Sequence, residues 1–215
     1  MKSISLVVPV YNEEESLPLF FTRLDDIILK KNDAEKYDFE VLFIDDGSRD
    51  ASLALIKAQA DASDHIKYIS FSRNFGKEAA LSAGIRHATG DAVIPIDADL
   101  QHPLELVWEM LDKWERGADM VVGVRDKRSD EGFLKKKITK GFYKSINKIS
   151  EIPLIENAGD FRLLDKQVVS VIRELPENNL FMKGLFSWVG FKVDTVHFED
   201  KPRQGGKTTW NYWKL

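Results

Sequence analysis

The residues most able to do chemistry lie in Asp97-Ala98-Asp99-Leu100-Gln101-His102. At an extended strand end alternate side chains point the same way, so Asp97, Asp99 and Gln101 can converge on one point. Hard oxygen ligands of this kind suit Mg²⁺ or Mn²⁺, which complete their shells with water and substrate phosphates. A second reading has Asp99 cap a helix that starts near Pro103. Four more polar clusters follow apolar runs: Tyr11-Asn12-Glu13, Asp45-Asp46-Gly47-Ser48, Arg73-Asn74-Phe75-Gly76-Lys77 and Arg125. Any one of them could be a turn with a capping carboxylate. Five at successive strand ends instead mark the ligand-binding edge of an open α/β sheet.

The elements that position these clusters read as alternating strands and helices, the pattern of a mostly parallel sheet. Strands are predicted over Ile4–Val10, Phe39–Ile44, Ile66–Phe71, Ala92–Ile96 and Met120–Val124. Helices are predicted over Glu14–Lys30, from a Ser48 or Asp50 cap to Ala62, over Lys77–Ala88, and from Pro103 to Arg116. The first 125 residues thus form a βαβαβαβαβ unit. Beyond Arg125, Leu134, Ile138, Phe142, Ile146 and Ile149 give the apolar stripe of an amphipathic helix. A short strand at Phe161–Leu164, helices at Lys166–Glu174 and Leu180–Trp188, and a strand at Phe191–Phe198 complete the reading.

Composition removes several classes. The 215 residues are 43% hydrophobic with a net charge of -4, enough for one packed domain and unlike a disordered chain. With no cysteine there is neither a disulfide scaffold, nor a thiolate zinc site, nor a cysteine nucleophile. The first turn lacks the G-x-G-x-x-G fingerprint, and G-x-x-x-x-G-K-[ST] occurs nowhere, which disfavours dinucleotide dehydrogenases and P-loop nucleotidases. No apolar run is long enough for a membrane span. The net charge hides an asymmetry: Lys127 to Lys148 carries eight basic residues against Asp130 and Glu131.

Taken in order, Val8-Pro9-Val10-Tyr11-Asn12-Glu13-Glu14, Asp45-Asp46-Gly47-Ser48 and Asp97-Ala98-Asp99 resemble the inverting family 2 glycosyltransferases of GT-A fold. The longer stretches Arg73 to Glu78, Asp97 to Pro103, Asn157 to Leu163 and Arg203 to Thr208 resemble the polyprenyl-phosphate branch, which holds dolichol-phosphate mannose synthases and bactoprenol glucosyltransferases. The stretches Glu156 to Leu164, Phe181 to Phe191 and Trp210 to Leu215 look closest to the latter. Such bacterial proteins usually continue into two membrane helices, so the resemblance implies the soluble catalytic portion of a longer protein anchored at the cytoplasmic face of the inner membrane.

The resemblance implies one GT-A domain, with residues 1–125 binding a nucleoside-diphosphate sugar and residues 126–215 facing the acceptor and the membrane. Pro9, Tyr11, Glu13 and Asp45 would line the nucleoside pocket with Lys77 nearby; Asp99 and Gln101 would hold the metal, and Asp97 would face the sugar or an outer-shell position. The expected reaction moves a hexose, glucose by subfamily resemblance, to a polyprenyl phosphate with inversion. The alternative is a family 2 transferase acting on a glycan or other soluble hydroxyl. Two like charges at 4 Å near a surface repel by about 4 kcal/mol, so the two phosphates need cations. Arg125, Arg203 and Lys207, with Lys136 on the acceptor side, are the expected ones. A phosphomonoester with a second pKa of about 6 is largely ionised at neutral pH and needs no strong base; Asp160 is the candidate for a base or orienting carboxylate, or else the salt-bridge partner of Arg162. His102 is expected as a supporting or capping residue. The basic helix is expected on an anionic membrane surface. Homo-oligomers fit the resemblance, and no nucleic acid partner is expected.

Overall fold

The computed structural model of the chain describes residues 1–30, 36–126, 158–174 and 190–199. In chain order the elements are β1 (Lys2–Val10), α1 (Leu17–Leu24), β2 (Tyr37–Asp45), α2 (Ser52–Ala62), β3 (Ile66–Ser70), α3 (Lys77–His87), β4 (Ala92–Pro95), α4 (Leu106–Glu115), β5 (Met120–Arg125), β6 (Ala158–Asp165), α5 (Lys166–Glu174) and β7 (Val193–Phe198). The basic segment Lys127–Lys148 and the helix expected over Leu180–Trp188 lie outside the described residues.

Two predicted helices start later than their patterns suggest. Residues 13–16 form a turn in which the Glu13 carbonyl accepts the N–H groups of Ser16 and Leu17, and α1 follows with Pro18 in its first turn. It passes at Asp25–Leu29 into a π-helical turn. Pro103 opens a tight turn rather than α4 itself, its carbonyl accepting the Leu106 N–H at 3.1 Å.

Among the described residues the strands form one seven-stranded sheet in the order β3-β2-β1-β4-β6-β5-β7. All neighbouring pairs are parallel except those made by β6, which runs antiparallel to both β4 and β5. The continuous five-strand unit expected from the first 125 residues is therefore split. Strand β6 enters between β4 and β5, with Val93 opposite Leu164 and Met120 also opposite Leu164 on the other side. Hydrophobic patterning identifies a strand but not its neighbours, so nothing local to β4 or β5 specifies the insertion.

The near-continuous apolar runs are explained by burial on both faces. On one face Leu6, Val8, Phe43 and Ile94 pack with Leu17 and Phe20 of α1, Ile56 of α2 and Leu111 of α4. On the other, Val7, Leu42, Ile44 and Val93 meet Ala80 and Ile85 of α3 and Val168 and Ile172 of α5. Each such large side chain contributes about 1.5–3 kcal/mol on leaving water. This frame fixes the carboxyl ends of six strands, together with the amino end of the reversed β6, along one edge.

Candidate active site

Three strand ends are stitched together at that edge. After β1, Asn12 has φ +53°, its N–H donates to Ser48 Oγ at 3.0 Å, and its Oδ1 accepts the Arg49 N–H. Glu13 is buried; its N–H donates to Ser52 Oγ and its Oε2 accepts the Ser16 hydroxyl, both at 2.8 Å. After β2, Asp45 accepts the Ser48 N–H at 3.1 Å and the Ser70 hydroxyl at 2.8 Å. Asp46 accepts the N–H groups of Phe75 and Gly76 at 2.7 and 3.0 Å, fixing the approach to α3. Burial pushes the Asp46 carboxyl up, against the opposing pull of those two N–H donors. Gly47, at φ +67°, lies so close to the Arg73 backbone that a Cβ would overlap it. Neither predicted residue is the cap of α2, whose N-cap is Ala51 without a side-chain cap: Asp50 accepts the Ser52 N–H at 3.0 Å from one residue further out, and the Ser48 hydroxyl faces Asn12.

The aspartate pair after β4 reaches its place by a route other than strand alternation. Strand β4 ends at Pro95, residues 98 and 99 lie in a turn, and Leu100 adopts φ +58°. A left-handed conformation costs a branched residue about 1–2 kcal/mol, and burial of the Leu100 side chain holds it there. Asp97 and Asp99 then line one cleft with Pro9, Tyr11, Glu13, Lys77 and Ala98. The Asp99 Oδ1 accepts the Gln101 N–H at 3.1 Å. Gln101 itself is outside the cleft lining.

Lys77, the first residue of α3, places its ammonium between two carboxylates, 2.7 Å from Asp97 Oδ1 and 3.0 Å from Asp160 Oδ2. Burial works against that charge, but Asp97 and Asp160 outweigh it and hold the ammonium above the ordinary lysine range. Burial likewise opposes ionisation of Asp97, and Lys77, with smaller help from Arg125, brings its carboxyl below the usual range. His102 Nδ1 lies 3.8 Å from Asp97 Oδ2. Its ring is 3% exposed, stacks on Phe161 at 5.0 Å and meets the edge of Phe198 at 5.5 Å. Neither ring nitrogen has a hydrogen-bond partner among the described residues, and burial keeps the imidazole on its neutral side. Behind Asp160, the buried Arg162 donates to the Gly159 carbonyl; burial lowers its guanidinium to about 10, still charged at neutral pH, with Asp160 opposing the fall.

The geometry can therefore present two carboxylates to a cleft beside fixed cations. A scan of known protein families matches residues 5–173 to the model for glycosyl transferase family 2. The chain belongs to that family. It is 50% identical over 212 residues to the prophage bactoprenol glucosyl transferase homolog of Escherichia coli K12, covering 99% of this chain and 68% of that protein. The bactoprenol glucosyl transferase of Shigella phage SfX is 49% identical over the same length, with the same coverage. Among solved structures, the Pyrobaculum calidifontis mannosyltransferase in complex with GDP-Man and Mn²⁺ superposes with a TM-score of 0.60 at 21% identity, over 94% of this chain and 58% of that one. Glucosyl-3-phosphoglycerate synthase of Mycobacterium tuberculosis, in complex with Mn²⁺, UDP-Glc and phosphoglyceric acid, gives 0.58 at 17% identity, over 96% and 73%. These likenesses show the GT-A type of fold. The chain is a glycosyltransferase built on a single, mostly parallel α/β sheet.

Of the family 2 positions expected from sequence, Pro9, Tyr11, Glu13, Lys77, Asp97 and Asp99 come together in the cleft. Asp45, at the end of β2, is not among the residues lining the cleft; it is buried and turned toward Ser48 and Ser70. Arg125 closes β5, near enough to influence Asp97. Asp160 joins the cluster through Lys77. Lys136, Arg203 and Lys207 lie outside the described residues. Two further residues contribute without belonging to the expected substrate or metal contacts, the second of them as the partner in the alternative reading of Asp160. Asp46 clamps the loop before α3, and Arg162 supports Asp160 from within the core. Adjacency to Asp45 was the available signal for the first; for the second it was a charged residue inside an apolar strand.

Proposed function

We propose that this chain catalyses metal-dependent, inverting transfer of a hexose, glucose, from a nucleoside-diphosphate sugar to the phosphate of a polyprenyl lipid. The observation that carries the reading is the 49–50% identity, over nearly the whole chain, to proteins named bactoprenol glucosyl transferase. Donor-bound neighbours of the same fold, one with GDP-Man and one with UDP-Glc, support a nucleotide sugar in the cleft. In this reading residues 1–125 hold the donor and residues 126–215 complete the acceptor side.

The residues present fit a hard divalent ion. Asp97 and Asp99 offer only oxygen, and among the described residues no group of three His, Cys, Asp or Glu side chains could hold an ion unaided. That donor set suits Mg²⁺ or Mn²⁺, whose shells are completed by water and substrate phosphate. Mn²⁺ accompanies the nucleotide sugars in both neighbours, which supports the assignment. Asp99 would hold the ion and Asp97 would stand beside it; Gln101, expected as a further ligand, does not line the cleft and is not assigned to the ion. Once bound, the ion would offset the charge of the leaving diphosphate.

The chain's own groups account for the rest. Pro9, Tyr11 and Glu13 would receive the nucleoside, with Asp45 toward its base. Arg125, Arg203, Lys207 and Lys136 would bring the acceptor phosphate against an anionic donor. Because that phosphate is already ionised, Asp160 need only orient it. The basic segment Lys127–Lys148 would meet the anionic membrane surface, at about 1 kcal/mol per cation near it. In the test, radiolabelled UDP-glucose is incubated with Mn²⁺ and polyprenyl phosphate, and organic-extractable label is counted. Label in lipid supports the reading; label transferred only to soluble hydroxyl acceptors refutes it and favours the alternative transferase.

A further inference from the structure

We propose that Lys77 is a positioning residue, a tie between the loop after β4 and the start of β6 that fixes Asp97 against Asp160, and not a ligand of the donor nucleotide. The inference rests on the transferase reading of the cleft and adds a role to it. Its basis is the placing of one ammonium 2.7 Å from Asp97 and 3.0 Å from Asp160, carboxylates that come from strands running in opposite directions. The lysine is itself held: Asp46 grips the N–H groups of Phe75 and Gly76, the two residues before it, so α3 begins at a set point. Only a quarter of the Lys77 side chain is exposed, and its two partners leave little of its charge for a third anion.

Without the ammonium, two partly buried carboxylates would lose the cation they share and move apart. Among the described residues Asp97 would keep the charge of Arg125, with the neutral His102 3.8 Å away, and Asp160 would keep the charge of Arg162. The donor pocket contributed by β1 and β2 would survive. The predicted defect is therefore in the chemical step, not in donor binding.

The test uses the full chain with Mn²⁺ and whichever nucleotide sugar the wild type cleaves, UDP-glucose first. Donor Kd and the single-turnover rate of donor cleavage, to lipid phosphate or to water, are measured separately. For Lys77→Met the Kd should stay within about threefold of wild type while the rate falls about 100-fold, as expected for misplaced catalytic groups. Lys77→Arg should restore about tenfold of that loss, because it keeps the charge but not the shape. Asp160→Asn should lose rate similarly, and the double variant should be no slower than the slower single one. A Kd raised about thirtyfold with the saturated rate intact would make Lys77 a donor ligand and overturn the proposal. Rate losses that multiply in the double variant would also overturn it. If Lys77→Met melts below the assay temperature, Lys77→Gln takes its place in the same cycle. A wild type that cleaves the donor with water but leaves the lipid unglycosylated refutes the acceptor reading, and the Lys77 comparison still decides its own question.

Discussion

Glu40, toward the amino ends of the strands, and Asp97, at the carboxyl ends, are both partly buried carboxylates, yet their surroundings differ in kind. Glu40 accepts the Ser5 hydroxyl, the Thr89 N–H at 2.6 Å, the Thr89 hydroxyl at 2.8 Å and the Lys67 ammonium at 2.9 Å. Asp91 nearby is similarly filled by the Ser3 N–H and hydroxyl and by Lys166. Among the described residues Asp97 is met by one lysine and, at a longer distance, one imidazole, feels the charge of Arg125, and opens on a cleft. Carboxylates filled by the hydroxyls and backbone of their own frame hold that frame together. Those held by a side-chain cation beside a cleft remain able to meet a ligand. Backbone cost follows the same division: among the described residues the two non-glycine residues with positive φ, Asn12 and Leu100, both lie at the carboxyl edge.

The sharpest way to break this comparison is Asp99→Ala. It should lower transfer about a thousandfold, the loss of several kcal/mol of charge stabilisation, with the melting temperature little changed. A variant with unimpaired transfer at saturating Mn²⁺ would remove Asp99 from the site. At the other edge, Glu40→Ala should do the reverse. Leaving the Thr89 N–H and the Ser5 hydroxyl without their acceptor costs about 2 kcal/mol, or about 4–8 °C in Tm for a chain of this size, while kcat of the folded fraction is kept. Calorimetry beside the transfer assay reads both quantities.

Acid titration sharpens the difference further. Burial opposes ionisation of Glu40, but Ser5, Thr89 and Lys67 together prevail and lower its carboxyl from the ordinary 4.5 to about 2. A group depressed on folding stabilises the native state above its unfolded pKa and loses that contribution as pH falls through the folded value. Between about pH 5 and pH 2 the wild type should therefore lose up to about 3 kcal/mol through this group, and Glu40→Gln should flatten that part of the stability profile. An unchanged acid limb in the variant would contradict the assignment. The smallest effect is expected for Lys67→Met. Its side chain is 56% exposed, so removing the ammonium should cost no more than about 0.5 kcal/mol by urea melts. A larger loss would mean that the Lys67 pair, not the hydroxyls and N–H, dominates Glu40.

Much of this was legible in the chain. The apolar runs located β1 to β5 to within two or three residues, and the helix over Lys166–Glu174 matches α5 as read. Ends were harder, because Glu13 and Pro103 start turns that precede their helices, and a turn competes with the first helical turn on local hydrogen bonds that hydrophobic spacing does not report. The Asp97-Ala98-Asp99 motif was found for a reason only partly right. Its side chains share a cleft through a turn with Leu100 at positive φ, and not through alternation along β4.

By itself the sequence determined which segments are strands, and that their polar ends would gather along one edge, since apolar periodicity and turn chemistry are local properties. It also determined the family, through motifs whose order survives without any knowledge of contacts. Only the tertiary structure decided that β6 runs backwards between β4 and β5. That reversal carries Asp160 to the carboxyl edge, within 3.0 Å of a lysine from α3 that also holds Asp97. Strand direction and neighbour are set by what the whole sheet can bury and pair, so the meeting of three charges far apart in the chain had no local signal to announce it.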